Sequence, residues 1–133
     1  MYQQKAELPD LKAACPEYDA INAQVLQDVV LRVDRTFEAF FQRISEGDAP
    51  GYPRFQGQGR YNSFTFPQVG EHGGARLTNG FLVLSKIGRI VVRWSRPLEG
   101  TPKTITIKQE ADGWYVCFFA LISLYNLCRQ LDK

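Results

Sequence analysis

Residues 50–67 read Pro-Gly-Tyr-Pro-Arg-Phe-Gln-Gly-Gln-Gly-Arg-Tyr-Asn-Ser-Phe-Thr-Phe-Pro, an alternation of arginines, aromatics and glycines. Arg54 and Arg60 supply planar charged forks that match phosphate oxygens. Phe55 and Tyr61 offer ring faces on which bases stack, and Gly57 and Gly59 let the backbone come close to a partner. These residue types suit the holding of a phosphodiester chain rather than the making or breaking of bonds. A purely architectural use fits them equally: an aromatic-anchored crossover that pins the preceding element to the following one. The residues by themselves leave both uses open.

Nothing in the sequence assembles a catalytic centre, and the chain is expected not to be an enzyme. Ser63 and Ser85 have one imidazole to call on, His72, and neither serine sits in a nucleophile-elbow motif. Cys15, Cys117 and Cys128 form no CxxC pair and no even disulfide framework, so reduced thiols, buried or half-buried, are expected rather than a zinc site. Asp28, Asp34 and Glu38 fall where helix surface charge accounts for them. No GxxxxGK[ST] or GxGxxG loop is present, and Gly57-Gln58-Gly59 lacks the strand and helix that would give it meaning. No cofactor and no metal are expected.

The formal net charge of +2 conceals a sharp partition along the chain. Lys/Arg against Asp/Glu number five to nine in residues 1–49, nine to two in 50–108 and two to three in 109–133, giving −4, +7 and −1. A segment of +7 interleaved with aromatics is the electrostatic footprint of a surface that follows phosphates.

The elements that must carry this segment are legible from periodicity. Leu8–Cys15 predicts a helix of about two turns, stopped by Pro16. Asp19 is then placed to cap a long helix in which Ile21, Val25, Val29, Val33, Phe37, Phe40, Phe41 and Ile44 form one apolar stripe, with Leu26 and Val30 widening it. Asp28 with Arg32 and Arg35 with Glu38 are expected as pairs on its other faces, and Gly47 as its stop. At some 25 residues this helix would be about 37 Å long, enough to project or span.

From Pro50 the pattern turns to short strands, predicted over Asn62–Phe66, Gly80–Leu84, Arg89–Trp94, Lys103–Gln109 and Trp114–Ala120, with Asp112-Gly113 as a hairpin turn. The expected fold class is α+β: a long N-terminal helical arm followed by a small antiparallel β-barrel of about five strands, wedge-like or OB-like. The expected organisation is a helical segment over 1–49, the barrel over 50–120 and a divergent tail over 121–133.

Several motifs resemble those of TnpB (OrfB-type insertion-sequence) proteins, the transposon-encoded RNA-guided nucleases. Gly-Tyr-Pro-Arg-Phe at 51–55 followed by Ser-Phe-Thr at 63–65 resembles their G-[YF]-P-[RK]-F linker. Val-Leu-Gln-Asp at 25–28 and Phe-Glu-Ala-Phe-Phe at 37–41 resemble the helix before it. Lys-Ile-Gly-Arg-Ile at 86–90 resembles the strand turn after it, and Gly-Trp-Tyr-Val at 113–116 the last barrel strand before the nuclease core.

The resemblance covers about residues 8–120. It implies a recognition-lobe helix joined to a wedge-type barrel that holds a guide RNA and reads a short DNA motif beside the target, while base pairing supplies sequence specificity. It further implies nucleic-acid contacts by Gln27 and Thr65 on the DNA-motif side, by Arg54, Phe55, Arg60 and Tyr61 in the connecting segment, and by Lys86 and Arg89 at the strand turn.

After Ala120 such proteins continue into a nuclease domain with acidic metal ligands and a CxxC zinc ribbon. Here the sequence reads Leu-Ile-Ser-Leu-Tyr-Asn-Leu-Cys-Arg-Gln-Leu-Asp-Lys, so the expectation is a front part truncated before the nuclease domain, able to bind and unable to cut. With no long apolar run and no apolar region behind Met1, a cytoplasmic protein with no membrane partner is expected. A full-length homologue is a second candidate partner. A protein-docking scaffold, or a transposon remnant without a role, is the alternative to nucleic-acid binding.

Overall fold

The computed structural model of the chain describes residues 2–121. The expectations for the tail and for Cys128 lie outside the described residues, apart from Leu121.

Two short helices, α1 (Tyr2–Ala6) and α2 (Leu8–Ala14), lead into a 3₁₀ turn over Pro16–Ala20. The long helix α3 spans Ala23–Ser45, 23 residues and about 34 Å. Its N-cap is Asn22 rather than Asp19: the Asn22 side chain accepts the Gln24 N–H at 2.9 Å. Pro16 opens a separate turn that takes up Asp19, and the chain becomes extended at Ile21 before the cap. At the other end Gly47, with φ of 89°, ends the helix as expected.

Six strands follow: β1 (Ser63–Phe66), β2 (Ala75–Thr78), β3 (Phe81–Leu84), β4 (Gly88–Val91), β5 (Thr101–Glu110) and β6 (Gly113–Leu121). They form two antiparallel three-stranded sheets ordered β1-β5-β6 and β2-β3-β4. The fold is α+β with one long helix, but the described residues do not close the strands into one barrel.

Proline and glycine explain the separation. Pro67, Gly70, Gly73 and Gly74 part β1 from β2, and Pro97 and Pro102 lie between the β4 run and the body of β5; proline cannot donate to a ladder. Among the described residues no ladder joins the two sheets, and an isolated parallel bridge of Val69 with Ala75 ties the β1–β2 segment to β2. Strand β4 accordingly stops at Val91, short of the expected Trp94, and the Trp94 indole stacks on Phe118 with ring centroids 5.3 Å apart.

The two sheets share one core. Phe66, Ile105 and Ile107 of the first sheet meet Ala75, Leu82 and Leu84 of the second, and Val25 of α3 joins them. Strand alternation places these residues on inner faces: Phe64 pairs with Ile107 and Phe66 with Ile105, while Ile105 and Ile107 face Phe118 and Val116 on β6.

The strand missed by sequence reading, β2, is joined to β3 through Asn79-Gly80. Both residues hold left-handed backbone, with φ of 50° and 79°, as a two-residue hairpin demands. In the last hairpin the turn residues are Ala111 and Asp112, one position earlier than expected, with Gly113 pairing back to Glu110.

The docking of α3 depends on a close approach at Gly74, whose N–H donates to Gln24 Oε1 at 3.0 Å. A Cβ there would lie 2.6 Å from a ring carbon of Phe66 and 3.0 Å from Asn22 Oδ1, so glycine is required for space.

Candidate nucleic-acid interface

The most densely bonded polar group is one expected on the helix surface. Arg32 donates through Nε to Asp28 Oδ2 at 2.7 Å and through one terminal nitrogen to the Ser63 carbonyl at 3.2 Å and hydroxyl at 3.1 Å. Its other terminal nitrogen donates to Thr65 Oγ1, which also shares a 2.9 Å hydrogen bond with Thr106 Oγ1 on β5. The Asp28–Arg32 pair therefore does not decorate an outer face: Asp28 is buried, and the fork of Arg32 fastens α3 to β1. Asp28 and Arg32 stand three and seven residues beyond Val25 and so lie on the stripe that faces the sheet.

Thr65 is 8% exposed and bonded on both sides, so its hydroxyl serves this junction and not the outer surface. Tyr61 lies against the same junction, its ring centroid 5.8 Å from the Arg32 guanidinium carbon.

The linker is anchored at one end by Tyr52, whose ring meets Phe37 and Phe40 edge-on at centroid distances of 5.9 and 5.4 Å. At the other end Asn62 Nδ2 donates to the Gln109 carbonyl at 3.1 Å, and the Gln109 N–H returns to the Asn62 carbonyl at 2.8 Å. The architectural use foreseen for the aromatics thus belongs to Tyr52, which packs the linker on α3. Phe37 and Phe40 thus pack on Tyr52 outside the main core, whereas Phe41 meets only Phe40 edge-on and is 61% exposed, so the three phenylalanines do not pack into the core.

Between the two anchors the linker and α3 border a groove of about 710 Å³. Arg54, Phe55 and Tyr61 line it together with Arg32, Val33 and Phe37. Phe55 is 94% exposed. Arg60 is exposed beside the groove and meets Gln56 through its backbone carbonyl, which accepts from Gln56 Nε2 at 2.6 Å. Gln27 is exposed on α3 and does not line the groove.

Lys86 and Arg89 belong to a different surface, the outer face and tip of the sheet β2-β3-β4. Lys86 sits at the exposed β3–β4 turn with φ of 68°. The register sets Arg76 against Val83 and Val83 against Arg89, so two arginines flank one valine across three strands. At about 4.8 Å between neighbouring strands, the two arginine backbones are roughly 10 Å apart. Arg89 also covers the Phe81 ring at 3.5 Å.

Arg76 was not foreseen because β2 was not; the Asn79-Gly80 pair between apolar runs was the signal that would have found both. Arg93 and Arg96 were also passed over, although Arg93-Trp94-Ser95-Arg96 repeats the Arg-aromatic pattern of the linker.

Among the described residues two ion pairs form, Asp28–Arg32 and Lys108–Glu110. The hydrogen bond to Glu110 holds the Lys108 ammonium above its ordinary pKa. Of the nine cations in residues 50–108 only Lys108 therefore has a carboxylate within 4.0 Å among the described residues; the other eight have none. Of the thiols, Cys15 is half-buried, and Cys117 is exposed because it lies on the outer face of β6 opposite Thr106, a correction to the expected burial.

No protein-family model matches the chain, and no curated protein matches it. No described helix is long and apolar enough to cross a membrane.

Proposed function

We propose that this chain is a nucleic-acid-binding module without catalytic chemistry of its own, similar to the RNA- and DNA-holding front half of TnpB-type proteins. In this reading the two sheets are the halves of a wedge-type barrel, α3 is the recognition-lobe helix, and the linker, with Arg54, Phe55, Arg60 and Tyr61, runs along the bound strand. Lys86 and Arg89, now with Arg76, hold phosphates on the second sheet. Gln27 remains available as a base reader on α3, whereas Thr65 acts indirectly by fixing Arg32. The partners are structured RNA and target-adjacent DNA, met in the cytoplasm.

The observation that carries the reading is the set of eight cations in residues 50–108 with no carboxylate partner among the described residues. Structural arginines are met by acceptors, as Arg32 is. Cations left without them on a +7 segment are available to phosphates.

Binding of a structured RNA measured across a salt series tests this. The affinity is expected to fall steeply with salt, with the nucleic acid recovered uncut. A flat response, or no binding at low salt, overturns it.

A second reading is favoured by one feature. Trp114, Tyr115, Phe119 and Leu121 are all exposed on β6, which is an edge strand, and such an edge suits a protein partner such as a full-length homologue. Concentration-dependent self-association or homologue binding that is indifferent to nucleic acid would favour it over the first.

A further inference from the structure

Strand β6 is the long edge left open among the described residues. The other edge strands, β1, β2 and β4, have four residues each, and β1 is fastened to α3 through Arg32. β6 has nine, with no charge and no proline, the devices that keep sheet edges from pairing. Among the described residues no backbone hydrogen bond outside its ladder with β5 reaches it. Trp114, Tyr115, Phe119 and Leu121 nonetheless stand exposed along it.

The ladder fixes which groups this edge offers. Glu110 and Gly113 close a two-residue hairpin and so form a hydrogen-bonded pair, and the bonding alternates from there. Tyr115 and Cys117 therefore turn their backbone groups toward β5, while Trp114, Val116 and Phe118 turn theirs to the open side. Side chains alternate as well, which puts Tyr115, Cys117 and Phe119 together on the outer face.

The strand is complementary to itself. An antiparallel copy of β6 laid on this edge pairs all nine residues only when Cys117 meets Cys117 on a twofold axis. In that register Trp114 faces Ala120 and Leu121 faces Gly113, large against small, and Tyr115 faces Phe119 as an aromatic pair on the outer face. The two Cys117 residues form a non-hydrogen-bonded pair, with Cα atoms about 4.5 Å apart.

At about 200 Å² per aromatic side chain, the exposed fractions of Trp114, Tyr115 and Phe119 bring roughly 700 Å² of ring surface from two copies to the contact. Leu121, Cys117 and the strand backbones carry the contact to about 1,000 Å², the lower bound for a specific interface.

We infer that the partner of this edge is a second copy of the chain, joined through antiparallel β6 strands about Cys117 into one six-stranded sheet. The inference takes up the protein-partner reading of this edge, adding the occupant and the register, and it is independent of the nucleic-acid reading.

The test uses the full chain with Cys15→Ser and Cys128→Ser, which leaves Cys117 as its only thiol. Under reducing conditions sedimentation equilibrium is expected to show monomer and dimer in proportions that shift with concentration. Oxidised glutathione is then expected to link the two chains through Cys117, since the Cα separation falls within the range of about 4.4–6.8 Å that a disulfide spans. In that exchange two protein thiols are oxidised to one disulfide, and the glutathione disulfide is reduced to two glutathione thiols. Phe119→Lys is expected to weaken the dimer by roughly 5- to 100-fold, because symmetry removes both Tyr115–Phe119 pairs at once and charges the edge, while the circular dichroism stays unchanged.

A monomer at every concentration overturns the inference. Slow amide exchange at Val116 and Phe118 in that monomer would identify a different occupant of the edge, whereas fast exchange would leave the edge open for another protein partner. A dimer that Phe119→Lys leaves intact and that glutathione does not link at Cys117 overturns the inference as well, by placing the contact elsewhere. Neither failure touches the nucleic-acid reading, which the salt series measures separately.

Discussion

Arg32 and Arg54 border the same groove, each near an aromatic ring, yet they are put to opposite uses. Arg32 makes hydrogen bonds to Asp28, Ser63 and Thr65 and its charge is neutralised inside the α3–β1 junction. Arg54 stands at the surface with no carboxylate partner among the described residues. Residue type does not distinguish them. What distinguishes them is the element each sits on: a helix face aimed at a sheet gives an arginine fixed acceptors, whereas a linker between glycines gives it none. The same contrast separates Lys108, paired with Glu110, from Arg76 and Arg89 on the second sheet.

The contrast is broken most forcefully at Arg32. Arg32→Ala leaves the buried Asp28 carboxylate without its donor and removes the bonds to Ser63 and Thr65, and is expected to cost about 2–4 kcal/mol, read from denaturant unfolding. A loss below about 0.5 kcal/mol, the ordinary range for a surface substitution, would mean that Arg32 is as free as Arg54.

Next in size, Gly74→Ala forces a methyl group against Phe66 and the Asn22 cap and is expected to cost about 1–3 kcal/mol by overpacking. It tests whether the other end of the α3 junction is as tightly committed as the Arg32 end. Near-neutral unfolding would show that the helix N-terminus gives way.

Lys86→Gly probes a free cation. Its left-handed φ of 68° strains a lysine, so glycine is expected to stabilise the fold by about 0.5–1 kcal/mol while nucleic-acid affinity falls. A substitution that raises stability and lowers binding marks a residue kept for a partner, and destabilisation would place Lys86 with Arg32 instead.

The smallest effect is at Tyr115, a group committed to its neighbour. Its hydroxyl donates to Asp112 Oδ2 at 2.7 Å, and this hydrogen bond holds the phenol above its ordinary pKa of 10.0. Because the folded value is raised, the contribution to stability is complete below the unfolded pKa and is lost as pH rises through the folded one. Ultraviolet titration is expected to show one phenol ionising late, and Asp112→Asn to abolish the delay.

The long helix, five of the six strands and the Arg-aromatic linker were legible because each rests on a local signal: a three- and four-residue apolar spacing, a two-residue alternation, or a run of glycine and proline. What escaped was set by partners distant in sequence. Asn22 became the cap because Pro16 diverted Asp19 into a 3₁₀ turn. Thr65 alternates with Phe64 and Phe66, but only the position of Arg32, 33 residues earlier, turned its hydroxyl inward. The Arg76–Val83–Arg89 row depends on a hairpin register that no single residue announces. Closure of the sheets into a barrel is likewise a matter of which edges meet, and Pro67, Pro97 and Pro102 keep the two sheets' ladders separate.

The central claim is that the unpaired cations of residues 50–108 hold phosphates. It is tested most directly by the salt dependence of single-strand binding for the native chain and for the triple substitution Arg54→Gln, Arg76→Gln, Arg89→Gln. At about 0.7 per phosphate contact on a single strand, loss of three contacts predicts a slope of log affinity against log salt that is shallower by about 2, with folding intact. An unchanged slope would show that these arginines do not touch phosphate.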